Sequence, residues 1–199
     1  TPLREALKVL AAEGLVTMKV RRGAYVTEVS EQDMADVYHL LSLLESDAAG
    51  VVASKVTPSQ LTELQTLHNE LEASIGERER FFDVNEQFHM RLLELANNRW
   101  LAQVIGDLRK IVKLARLQQL HAPGRLDQSL SEHMAVFAAL KARDAEGAEA
   151  AMRTHLTRQR DAVGTGGSTL GWSVNGRLEV ISPRDESPDA LLARVAASL

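Results

Sequence analysis

Cysteine is absent from the 199 residues, which excludes a disulfide framework, a thiolate metal site and a cysteine nucleophile. Aromatic residues make up only 4%, and leucine and alanine crowd the chain instead, a mixture that favours helix over sheet. No apolar run approaches the roughly 18 residues of a membrane span. No basic, apolar leader opens the sequence, so neither a transmembrane helix nor a secretory signal is expected. Positive charge is not in surplus: 23 Lys and Arg stand against 27 Asp and Glu, a net −4. Contact with nucleic acid would therefore have to come from a local basic patch. What remains, 45% hydrophobic and 25% charged, is ordinary for one or two folded domains. The expectation is a mostly α, cytoplasmic protein with no membrane partner.

Thr1-Pro2 reads as the cap and first position of a helix carrying Leu3, Ala6, Leu7 and Leu10, and Gly14 supplies its stop. Leu15–Val20 and Tyr25–Val29 are rich in β-formers, with Arg21-Arg22-Gly23-Ala24 as the turn of a basic-tipped hairpin. Roughly 30 residues cannot bury a core alone. This unit is therefore expected either to follow further chain or to lean on what comes next.

From Ser30 to about Val163 the apolar spacing is helical throughout. It predicts helices over 31–53, 58–75, 78–96, 99–120, 126–142 and 145–163. Capping boxes at Ser30–Asp33 and Thr57–Gln60 open the first two. Gly76, Asn97-Asn98 and Ala122-Pro123-Gly124 break the run. Short links between long helices imply antiparallel neighbours and hence a bundle. Gly164–Ser168 has linker composition. Beyond it, a hairpin about Asn175-Gly176 and a last helix capped by Ser187-Pro188-Asp189 are expected, with no functional reading. The predicted organisation is 1–29, 30–163 and 164–199.

Four polar side chains interrupt apolar stripes where leucine would be expected. In the helix over 78–96, Phe81, Phe88, Leu92 and Ala96 mark the stripe, and Asn85 and His89 fall inside it one turn apart. His133 stands among Leu126, Leu130, Phe137 and Leu140, and His155 among Ala148, Ala151, Met152 and Ala162. A buried imidazole is costly unless it is hydrogen-bonded, and three on separate helices invite a shared partner. A divalent ion is the obvious one, zinc first and nickel or manganese as alternatives, since neutral imidazoles plus an oxygen ligand suit all three. From the residues alone, separately hydrogen-bonded core histidines remain the competing reading. His39 lies off its stripe and His121 in a breaker segment; His68 lies on an apolar side and is read as structural.

The opening unit, Thr1-Pro2-Leu3-Arg4-Glu5-Ala6-Leu7 with Glu13-Gly14-Leu15-Val16 and Arg22-Gly23-Ala24-Tyr25-Val26, resembles the end of a GntR-superfamily winged helix-turn-helix. The first two helices of that domain are not seen, so the sequence resembles an N-terminally truncated member. Residues 30–163 resemble the FadR-like branch with its FCD effector domain. That likeness rests on Leu43-Leu44-Glu45, Asn85 with Phe88-His89, Ala96-Asn97-Asn98, Glu132-His133 and Met152-Arg153-Thr154-His155-Leu156.

The resemblance implies an all-α, FCD-like bundle behind a partial winged helix-turn-helix. It further implies a homodimeric repressor that binds operator DNA and a small organic-acid effector, often through a metal. By position the metal ligands would be Asn85, His89, His133 and His155. Asn85 stands where many members have Asp, leaving three neutral imidazoles, a neutral carbonyl and the ion's full +2. The expected result is weaker metal retention and stronger attraction for an anion. Leu41 stands where the family often places Arg. The DNA contacts carried over are Thr1 and Arg4 at the start of the recognition helix and Gly23 at the wing tip, with Lys19, Arg21 and Arg22 on phosphates.

Two other classes compete. Glu86-Gln87-Phe88-His89 is a Glu-x-x-His motif of di-iron bundles, but no other histidine has Glu three positions before it. An enzyme is therefore not expected. A metal-free bundle for an apolar ligand would leave the histidines to waters or backbone.

Overall fold

The computed structural model describes residues 2–118 and 125–165. Thr1, His121, Pro123-Gly124 and the expected tail hairpin and helix lie outside the described residues. The order is α1 (Pro2–Ala12), β1 (Val16–Lys19), β2 (Gly23–Val26), then six helices: α2 (Glu31–Lys55), α3 (Pro58–Ala73), α4 (Arg78–Ala96), α5 (Arg99–Gln118), α6 (Arg125–Ala142) and α7 (Ala145–Thr165).

Helix α1 ends at Gly14, whose φ of 76° suits a residue without Cβ. Leu15 N–H reaches back to Leu10 O at 2.9 Å and Gly14 N–H to Ala11 O at 3.1 Å, the paired bonds of a glycine-terminated helix. The hairpin is antiparallel, Val16 opposite Val26 and Lys19 opposite Gly23. Its turn sits one residue earlier than the sequence suggests. Arg22 N–H bonds Lys19 O at 3.0 Å, and Arg21 takes the positive φ of 61°. Gly23 is thus already the first residue of β2. Leu15 is the buried residue of this N-terminal unit; α1 buries none. Glu13 meets the bundle through Lys110, Nζ to Oε1 at 3.0 Å.

Both expected capping boxes are present. Asp33 N–H bonds the Ser30 hydroxyl while Ser30 N–H bonds Asp33, and Thr57 exchanges the same pair with Gln60. Asn97 closes α4 in the left-handed region, and the Asn98 side chain accepts from Trp100 and Leu101 N–H to start α5. Arg143 (φ 56°) and Asp144 repeat the device between α6 and α7.

Helix α2 is central, packing against α4, α5, α6 and α7, most extensively against α7. Small residues allow that approach: Ala48, Ala49, Val52 and Ala53 are fully covered. One continuous core runs through Met34, Leu41, Phe88, Leu92, Ile105, Leu140 and Met152. A second cluster of Leu71, Phe81 and Val84, with Leu126 and Leu130 packed against it, joins the N-terminal halves of α4 and α6 through α3.

Candidate metal centre

The stripes of α4, α6 and α7 face a common interior, and the three histidines within them arrive there together. His89, His133 and His155 are each 1% exposed, and each offers a ring nitrogen such that the three lie within 4.8 Å of one another. The His89 and His155 rings are stacked at 5.3 Å, and His133 stands at 86° and 75° to them.

Two of the three rings are held from behind. His89 Nδ1 lies 2.6 Å from Glu45 Oε2. Arg109 grips the same carboxylate in a fork, Nε to Oε1 at 2.8 Å and Nη2 to Oε2 at 2.6 Å, and its Nη1 reaches Glu86 at 3.0 Å. His155 Nδ1 lies 2.7 Å from Glu132 Oε2, which Arg125 clamps at 3.2 and 3.0 Å. A carboxylate already engaged by guanidinium N–H groups can only accept from an imidazole. Nδ1 therefore carries a proton in both rings, and at His155, whose neutral form burial favours, Nε2 keeps its lone pair. Carboxylates behind histidines fix ring orientation in this way at metal sites.

The charges agree with neutral rings. Burial drives His155 below its ordinary value, outweighing Glu132. Burial also lowers His133, far further, and His155, His89 and Arg109 add to the effect. Burial works to raise Glu132, but His155 and Arg125 hold it below the usual carboxylate value. Arg109 is pushed up despite its burial, because Glu45 and Glu86 face it. Arg109 faces Glu45 and Glu86, and Arg125 faces Glu132, while burial favours the neutral form of His133 and His155.

His133 differs from its neighbours. Neither of its ring nitrogens has a hydrogen-bond partner, and Asn85, 1% exposed and one turn before His89, has none for either amide atom. Buried groups left this way cost roughly 1–3 kcal/mol each, so the donor set fits an ion that would engage them.

The other described histidines stay apart. His68 is buried against Phe137 at 5.3 Å and is not in the triad; His39 is exposed. Leu41, one turn before Glu45, is packed in the core. Glu86 pairs with Arg109 rather than facing an ion. Glu45 and Glu132 stand out in the sequence only within the resemblance, and Arg109 and Arg125 do not stand out at all. The signal existed: Arg109 falls between Ile105 and Val112 on the buried face of α5, where an apolar residue would be expected.

In the N-terminal unit, Arg4, Lys19, Arg21 and Arg22 are all exposed. Lys19 Nζ lies 4.8 Å over the Tyr25 ring, and Tyr25 donates its hydroxyl to Arg22 O at 3.1 Å.

Residues 36–158 match the FCD domain. The chain belongs to the FCD family. Its architecture is that of GntR-type regulators of the FadR-like kind. It is 29% identical over 164 residues to the HTH-type transcriptional repressor RspR of Escherichia coli, covering 81% of this chain and 72% of that protein. Among solved structures, Escherichia coli McbR/YncC is similar with a TM-score of 0.72 at 24% identity, over 80% of this chain and 82% of that one. Streptococcus agalactiae GntR is similar with a TM-score of 0.56 at 22% identity, over 80% of each. This FCD protein is a transcriptional regulator by kinship and not an enzyme. No helix among its described residues is long and apolar enough to cross a membrane.

Proposed function

We propose that this FCD protein is a metabolite-responsive regulator whose bundle holds a divalent ion through Asn85, His89, His133 and His155. The carrying observation is the convergence of three buried imidazoles from three helices. Zinc is the first choice, nickel or manganese the alternatives. An ion held there would keep its full +2, supplying an anchor for a small carboxylate effector. The chain's own residues do the rest: Glu45 and Glu132 orient two rings, and the surrounding core excludes water.

The functional division runs 1–29 for DNA, 30–163 for effector and dimer, and 164–199 without assigned role. Thr1, Arg4 and Gly23, with Lys19, Arg21 and Arg22, are the DNA contacts, and their exposure in the described part supports this reading. Exposed Leu40, Leu43 and Val51 on α2 offer an apolar face to a homodimer partner. An effector acts only by favouring one packing over another. That packing sets the separation of two recognition helices, which must match operator half-sites. Such a regulator works in the cytoplasm.

Metal analysis of the purified protein tests the centre. His133→Ala should abolish metal retention while the helical content persists. Full retention after that change would return the histidines to a structural role.

A further inference from the structure

The buried hydroxyls of α2 and of the α3 C-cap share one habit. Ser42 donates to His39 O at 2.7 Å, Ser46 to Ser42 O, and Ser74 to Leu71 O at 2.8 Å. Such back-bonding satisfies a hydroxyl that water cannot reach. Ser129 breaks the pattern. It is 2% exposed, yet its Oγ has no partner, although the carbonyl one turn earlier in α6 is available to it.

Its position relates it to the metal centre. Ser129 precedes His133 by one turn on α6, as Asn85 precedes His89 by one turn on α4. Leu126 and Leu130 pack against the same small cluster as Phe81 and Val84, with Leu71 of α3 between the two helices, so the N-terminal ends of α4 and α6 face one apolar cluster. Asn85 and Ser129 therefore lie on the same side of the histidine triad, above an apolar cluster that closes this end. Both are buried and both lack partners.

A tether to His133 is the nearest competing role. His133 and Ser129 share one helix face, and neither has another partner, so nothing opposes a bond between them. None is formed. A serine hydroxyl is also not among zinc's usual ligands. What the pair offers is an O–H that both donates and accepts, beside an amide that donates through Nδ2.

We propose that Ser129, beside Asn85, is a specificity-determining contact that hydrogen-bonds a hydroxyl on a metal-anchored carboxylate, so that the site favours hydroxy acids over their deoxy counterparts. This deepens the proposed effector site and rests on the metal reading.

The test uses the whole chain loaded with cobalt, whose visible absorption reports ligation, titrated with lactate and with propionate. The unsubstituted protein should bind lactate more tightly. Ser129→Ala should remove roughly tenfold of that preference, the worth of one hydrogen bond, with cobalt affinity unchanged and melting temperature no lower. Ser129→Thr, which keeps a hydroxyl, should retain most of it. An undiminished preference in Ser129→Ala overturns the proposal, as does a fall in cobalt affinity, which would make Ser129 a tether for His133. If both acids shift the spectrum equally in the unsubstituted protein, the proposal fails and the metal reading stands. If cobalt does not bind at all, both fail.

Discussion

Arg109 shows how closely the centre depends on single side chains. It is buried with Glu45, and removing either would strand a charge, which typically costs 3–5 kcal/mol. Asn85 is the residue where chemistry can be changed with least disturbance. Asn85→Asp exchanges a neutral oxygen for an anionic one of almost the same shape. Metal retention should tighten and affinity for an anionic effector should fall, read by chelator competition and acid titration of the same sample; looser metal binding would contradict the assignment. The histidines themselves were legible because apolar neighbours at helical spacing frame each one. Their carboxylate partners were not. His89 and Glu45 are 44 positions apart and Arg109 and Glu45 64 apart, and no spacing within one helix reveals a bond between two.

Elements were legible where local chemistry marks their ends. Thr57-Pro58 with Gln60, and Asn97-Asn98, place caps that depend on a few consecutive residues. The hairpin turn was displaced because Arg21 joins Gly23 at positive φ, a conformation that sequence would assign to the glycine alone. The α2–α7 pairing could not be anticipated from either helix alone. Gly50 sits in it: a Cβ there would lie 2.7 Å from Cγ of Glu149. Gly50→Ala should be near neutral, since a gain in helix propensity of about 1 kcal/mol offsets displacing a flexible side chain. Gly50→Leu should lose about 1–3 kcal/mol by overpacking, measured by urea denaturation. Equal stability of the two variants would refute close packing at this point.

At the scale of the molecule, buried neutral imidazoles tie stability to pH. His68, His133 and His155 are all lowered from 6.5 by burial. Below that value the unfolded chain takes up protons that the folded metal-free protein does not, so stability falls as pH drops, by up to about 1.4 kcal/mol per unit for each group. Glu132, lowered from 4.5, acts in the same direction further down, its contribution present above 4.5 and lost as pH falls through its folded value. The melting temperature of metal-free protein should therefore decline from pH 7 to pH 5; a flat profile would be inconsistent with buried neutral rings.

Helix α5 carries two of the contacts described above on successive residues. Arg109 reaches inward to the carboxylate behind His89, and Lys110 reaches Glu13, 97 positions away, just past the end of α1. Neighbouring residues of a helix share one stiff backbone. Any slide or roll of α5 is thus felt at once by the ring it helps to aim and by the basic hairpin unit, which gears the buried centre and that unit to a single shaft.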